Sequence, residues 1–201
     1  MTLSTANLPA LGQAYGGGFV TGITCDIETG VRRLHITAGA EHELTGPWGN
    51  YGTKIAGAES FTDSLANTQA MAAVGSDIAE KVLALAIGGF NDWAIPARDV
   101  QELQYRHFKP TTEYNWEQGR SGENPSSEPV GRLYREGDPV QASHEAFRDG
   151  GVEAFQESVY WSSTQRSAYD AFGIYMGAGD QSNHVKSSPL RVRPVRSEII
   201  S

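Results

Sequence analysis

Apolar and polar residues alternate with a period of two over residues 19–27 (Phe-Val-Thr-Gly-Ile-Thr-Cys-Asp-Ile) and again over 31–36 (Val-Arg-Arg-Leu-His-Ile). Glu28-Thr29-Gly30 lies between them, and two such runs around a glycine-bearing turn predict a β-hairpin. Residues 38–57 are turn-rich, with Gly46-Pro47-Trp48-Gly49-Asn50 at their centre. The period then changes. Thr62 and Asp63 are good N-cap types and predict a helix over 64–73. Gly75-Ser76 interrupts it, and Ser76-Asp77 opens a second piece over 78–87, with Ile78, Val82, Leu85 and Ala86 on one face. Gly88-Gly89 stops that piece. Residues 91–96 read as extended, because Pro96 keeps its predecessor out of the α region. A third helix starts at 97 or 98 and ends before Pro110, with Val100, Leu103 and His107 along one side and Phe108 beside them.

Periodicity is lost over residues 111–151, a long connection for a compact domain. Its aromatics, Tyr114, Trp116, Tyr134 and Phe147, predict that it is packed down rather than disordered. Residues 160–164, 171–176 and 190–196 predict three closing strands. With no repeat and no linker, the fold class is α+β, in one domain over 16–201. An arm over 1–15 precedes it, where Pro9 and Gly12 exclude a helix.

Composition narrows the classes. Sixteen Lys and Arg against 24 Asp and Glu leave a formal charge of −8, which argues against binding a nucleic-acid backbone. No apolar run reaches the length of a membrane span, and the first residues lack the basic start and apolar core of a signal peptide. Cys25 is the single cysteine, so neither an internal disulfide nor a multi-cysteine metal cluster can form. In a strand it reads as a small buried hydrophobe.

Motifs for chemistry are weak. The five histidines, His35, His42, His107, His144 and His184, show no metal-ligand spacing, so neither metal nor cofactor is expected. Ser162 and Ser163 lack a nucleophile elbow, and as strand residues their hydroxyls are expected to bond backbone groups. Gly16-Gly17-Gly18 precedes a strand, which excludes a phosphate-cradling loop and leaves a tight turn or close chain packing. Arg191, Arg193 and Arg196 are expected to pair with acidic loop residues rather than to bind a polyanion.

Five segments in order carry a resemblance: LANTQAM (65–71), NDWAIPARDVQEL (91–103), KP (109–110), YWSST (160–164) and LRVRPVR (190–196). Together they resemble the DUF1566 family, the collagen-like-protein C-terminal domain, and GGGF (16–19), GRSGENP (119–125) and FRDGGVEAF (147–155) look like its phage and prophage branch. The likeness spans residues 16–196. Ile95 stands where the family prefers Leu, and Ala97 replaces a capping Ser or Thr, a loss of about 1 kcal/mol of local helix stability.

The resemblance implies a C-type-lectin-like fold: an antiparallel sheet joining the N- and C-terminal strands, two main helices and a long irregular loop region. A calcium site is not supported, because Glu123-Asn124-Pro125 scrambles the usual Glu-Pro-Asn and Asn91-Asp92-Trp93 reverses the usual Trp-Asn-Asp upstream of the loop. In phage proteins of similar fold the last strand–loop–strand segment, here 165–188, is the ligand face. Its Tyr169, Asp170, Tyr175, Asp180, Gln181, Ser182, Asn183 and His184 combine rigid aromatic area with adaptable hydrogen bonding. Tyr114 and Trp116 are placed beside the same face.

The expectation is a non-enzymatic virion protein of the tail tip, baseplate or fibre, present in the host cytoplasm during assembly. It binds a host cell-surface receptor or glycan and other tail subunits, as a homo-oligomer with a trimer favoured, without nucleic acid and without membrane insertion. A structural adaptor or decoration subunit is the first alternative, and a tail-associated carbohydrate-active enzyme the second.

Overall fold

A computed structural model describes residues 8–200. In chain order its elements are β1 (Ala14–Tyr15), β2 (Gly18–Cys25), β3 (Arg32–Thr37), β4 (Leu44–Gly46), α1 (Ser64–Ala72), α2 (Asp77–Leu83), α3 (Arg98–Phe108), β5 (Ser127–Glu128), β6 (Val159–Gln165), β7 (Asp170–Tyr175), β8 (Asp180–Val185), β9 (Leu190–Val192) and β10 (Val195–Ile200). The α+β class is as expected, with three helices rather than two main ones and two five-stranded sheets rather than one. Among the described residues no helix is long and apolar enough to cross a membrane.

The first sheet has the order β1-β2-β3-β10, with β5 added on β2. The predicted hairpin is its centre, and β10 pairs antiparallel with β3 from Val195↔Thr37 to Ile200↔Arg32, so chain-start and chain-end strands share one sheet. The arm expected over 1–15 lies outside the described residues up to position 7. Beyond that it is docked: Leu8 packs on the core, Gly12 N–H donates to Val20 O, and Ala14–Tyr15 forms β1.

The second sheet runs β4-β9-β6-β7-β8, antiparallel except for the short parallel contact of β6 with β9 at Tyr160↔Arg191. The run expected as one strand over 190–196 divides here. Proline lacks the N–H that a ladder needs, and Pro194 separates β9 in the second sheet from β10 in the first. Arg193, at the crossing, is buried and donates to Glu43 Oε1 through Nε (2.9 Å) and Nη2 (2.7 Å). Glu43 also accepts from Arg191 Nη1 and Tyr160 O–H. One carboxylate thus ties the crossing to β9 and β6 of the second sheet. Arg196 binds Asp92 and Glu198, so all three arginines pair with carboxylates, as expected, most of them in loops.

Between the sheets lies a core that includes the fully buried Trp48, Trp93 and Trp161. Each indole N–H reaches a carbonyl: Trp48 to Ser162 O, Trp93 to Phe90 O and Trp161 to Gly46 O. Burial therefore leaves no indole donor unmet. The second helix ends at Leu83 rather than 87, because Ile87 and Phe90 exchange backbone hydrogen bonds around Gly88-Gly89, both at positive φ. Gly17 and Gly88 interlock there. A Cβ on Gly88 would stand 2.6 Å from Gly17 Cα, and one on Gly17 2.7 Å from Ile87 O. Close chain packing is what the glycine run supplies.

The long loop is packed against α3, as its aromatics predicted. Phe147 stacks on Phe108 at 3.9 Å and 10°. Polar groups fasten the rest: buried Glu102 accepts from Arg106, Tyr134 O–H and Asn124 Nδ2, and Asn115 Oδ1 accepts from Tyr105 O–H and Lys109 Nζ. Burial raises the Glu102 pKa, while the Arg106 charge and these hydrogen bonds lower it.

Candidate functional site

The polar stretch 180–185 forms β8, the outer strand of the second sheet, paired with β7 from Asp170↔Val185 to Tyr175↔Asp180. Alternation puts Asp180, Ser182 and His184 on one face and Gln181, Asn183 and Val185 on the other. The small residues Ala171 and Gly173 stand opposite His184 and Ser182, so the first face is shallow. Ser182 Oγ lies 3.3 Å from Asp180 Oδ2 and 3.2 Å from His184 Nε2. Burial lowers the His184 pKa, partly opposed by Asp180 and Asp170. The order matters chemically. A nucleophile–base–acid chain places the imidazole between hydroxyl and carboxylate, whereas here the serine stands in the middle and, among the described residues, no carboxylate hydrogen-bonds the imidazole. This trio can offer hydrogen bonds but does not activate the serine.

The ten residues expected to form one face are divided by the length of the hairpin, roughly 17 Å at about 3.4 Å per residue. Tyr175, Asp180 and Gln181 lie at the closed end. Trp116 joins them because its N–H donates to Ala178 O in the β7–β8 turn, and Tyr114 and Trp116 line a depression of ≈ 340 Å³ with Glu117 and Glu136. Tyr114 and Trp116 therefore do not flank Tyr169: that backbone bond fixes them at the other end of the ribbon. Gln181 is tied to the long loop, accepting from Gly122 N–H and donating its own N–H to Ser121 Oγ.

At the open end the structure adds residues that the sequence reading passed over. Tyr51 and Tyr169 are 60% and 52% exposed, with ring centroids 5.1 Å apart and planes inclined by 54°. Two tight turns carry them. In the first, Thr53 N–H donates to Asn50 O, with Gly52 at φ +85°. In the second, Ser167 Oγ accepts from the N–H groups of Tyr169 and Asp170. Gly52 N–H donates to Ala168 O at 3.0 Å and joins the turns, while Lys186 N–H donates to Tyr169 O. Arg166 Nη1 donates to Asn183 Oδ1 at 2.8 Å nearby, and Val185 is 43% exposed. The signal for Tyr51 was present in Gly49-Asn50-Tyr51-Gly52, an aromatic held between turn residues. Nothing local said that this turn meets residue 168.

Several other candidates have structural partners. Asn124 Nδ2 donates to Asp99 O and Glu102 Oε2, Glu123 pairs with Arg120, and Asp92 holds Arg196. Ser162 Oγ accepts from Thr164 N–H, a backbone group as expected, whereas Ser163 Oγ accepts from the Asn67 side chain. Cys25 is half-buried rather than buried, because it stands at the end of β2 where the sheet meets solvent. Among the described residues no group of three or more His, Cys, Asp and Glu converges as a metal site would need. No protein-family model matches this chain, and no curated protein matches it.

Proposed function

We propose that the protein is a non-catalytic recognition domain of C-type-lectin-like architecture, carried on a phage or prophage tail, that binds a host-surface glycan at the open end of its β7–β8 hairpin. The architecture is supported by a sheet that joins β2 and β3 to β10, by helices lying between the two halves of the chain, and by a long irregular loop packed on α3. The tail assignment rests on the segment order that resembles the phage branch of DUF1566.

The observation that carries the binding reading is the Tyr51–Tyr169 pair. Two large rings stand side by side and more than half open, on turns that backbone hydrogen bonds hold in place. Aromatic area that is already ordered binds at little entropic cost. Inclined rings offer C–H stacking faces to a pyranose, and the amide, guanidinium and carboxylate of Asn183, Arg166 and Asp170 offer hydrogen bonds to its hydroxyls.

The test is a printed array of bacterial surface polysaccharides, probed with the full chain and with Tyr51→Ala and Tyr169→Ala. Binding that each substitution weakens at least tenfold, with the thermal midpoint retained, supports the site. Glycan binding that both variants keep would refute it, as would an array on which the intact chain binds nothing.

A further inference from the structure

Lys186, the residue after β8, is fully buried. Its Nζ donates to Thr53 O at 2.8 Å and to Gln165 Oε1 at 3.1 Å, and it lies 4.5 Å from the centroid of the Trp48 ring. All three partners are neutral. An ammonium buried among neutral groups is a net expense to folding, and a methionine would fill similar space without it. The three contacts converge on the chain that carries the aromatic rim. Thr53 closes the turn holding Tyr51, and Gln165 leads into the turn holding Tyr169. Gln165 also returns to the first segment, accepting from Ile55 N–H and donating to Ile55 O.

We propose that Lys186 is the positioning residue of the rim: its charged ammonium draws the two turns together from beneath and thereby sets how Tyr51 and Tyr169 are presented. What the rim binds rests on the glycan reading above; the ordering of the rim does not.

A protonated amine donates hydrogen bonds roughly twice as strong as a neutral one, and only the cation is attracted to the Trp48 face. Burial lowers the Lys186 pKa to about 8, opposed by the Asp170 charge. Of the other charged or titratable groups on the surrounding segments, Lys54 is paired with Glu59, Arg166 holds Asn183, and His184 has its pKa lowered. Two opposite trends follow. The folded pKa lies below the ordinary 10.5, so between these values the unfolded chain holds the extra proton and global stability rises with pH. Over the same interval the rim loses its charged tether and loosens.

Amide hydrogen exchange of Gly52, whose N–H bonds Ala168 O, reads the tether without any ligand. In the wild type, protection corrected for the intrinsic rate falls about tenfold as pH rises through the Lys186 titration, while the urea midpoint holds or rises. Lys186→Met shows the low protection at every pH, and Lys186→Arg keeps the high protection across the range. Gly52 protection that stays flat with pH in the wild type overturns the proposal, and this measurement stands even if neither variant folds. Binding to methyl pyranosides forms a separate arm. No binding at any pH would refute the glycan reading and leave the exchange profile to decide the tether; binding that is insensitive to Lys186→Met would count against the tether alone.

Discussion

His35 stands in the middle of the first sheet and sets how the fold answers to acid. It is fully buried, with Nε2 2.7 Å from Thr24 Oγ1 on β2 and Nδ1 2.9 Å from Ser197 Oγ on β10, so one ring joins three strands. Either hydroxyl can give or accept a proton, and hydrogen bonding therefore tolerates both the neutral and the charged ring. Burial does not. Desolvation, aided by the Arg33 charge, lowers the His35 pKa from 6.5 to about 3. The unfolded chain therefore binds a proton that the folded chain refuses between these values, and stability falls as pH drops through 6.5 toward 3. Integrated over that window, the loss is about 2 kcal/mol at pH 5 and about 3 kcal/mol at pH 4. His107, half-buried on α3 with its pKa lowered to about 4 by desolvation and the Arg106 charge, adds to the loss in the same direction. Urea unfolding at pH 7, 6, 5 and 4 measures the slope, and the carbon-bound ring-proton resonances of the two histidines assign it. His35→Gln should flatten the curve by the His35 share. An imidazole of His35 that titrates near 6.5 in the folded protein, or a stability independent of pH from 7 to 5, would refute the reasoning.

Other expectations concern the sheet crossing, the glycine contact and the rim. Glu43→Gln leaves the buried Arg193 with Glu153 alone, at 3.8 Å, and Arg193→Ala leaves Glu43 with Arg191 and Tyr160; each should cost about 3 kcal/mol, the lower end for breaking a buried pair, by chemical denaturation, whereas Arg191→Ala, at a more exposed arginine, should cost about 1 kcal/mol or less. Gly88→Ala forces a Cβ against the Gly17 backbone at a φ of +60°; a loss above about 1 kcal/mol is expected, read from the thermal midpoint. Tyr51→Ala and Tyr169→Ala remove exposed rings and should move stability by no more than about 0.5 kcal/mol while abolishing retention on a glycan-coated surface.

The regular elements were legible because their signals are local. The central hairpin, α1, α3, β6 and β7 follow from period-two alternation, cap residues and the position of Pro110, and the glycine run was readable as a place for close packing. Periodicity did not single out strand β8, since Asp-Gln-Ser-Asn-His-Val alternates among polar residues; a strand–loop–strand over 165–188 came only from the resemblance. The expected single strand over 190–196 contained its own break at Pro194, but which sheet each half would join depended on Glu43, Asp92 and β3.

By itself the chain's residue pattern determined most of the element types and the α+β class, which depend on neighbours within a turn or two, and its aromatics marked the long loop as packed down. Tertiary structure alone decided which polar and aromatic residues share a surface. Tyr51 meets Tyr169 because a backbone hydrogen bond links Gly52 to Ala168, and Trp116 is held away from both by Ala178. Such contacts between distant segments leave no periodic trace, because the groups that make them are backbone amides and carbonyls that nearly every residue carries.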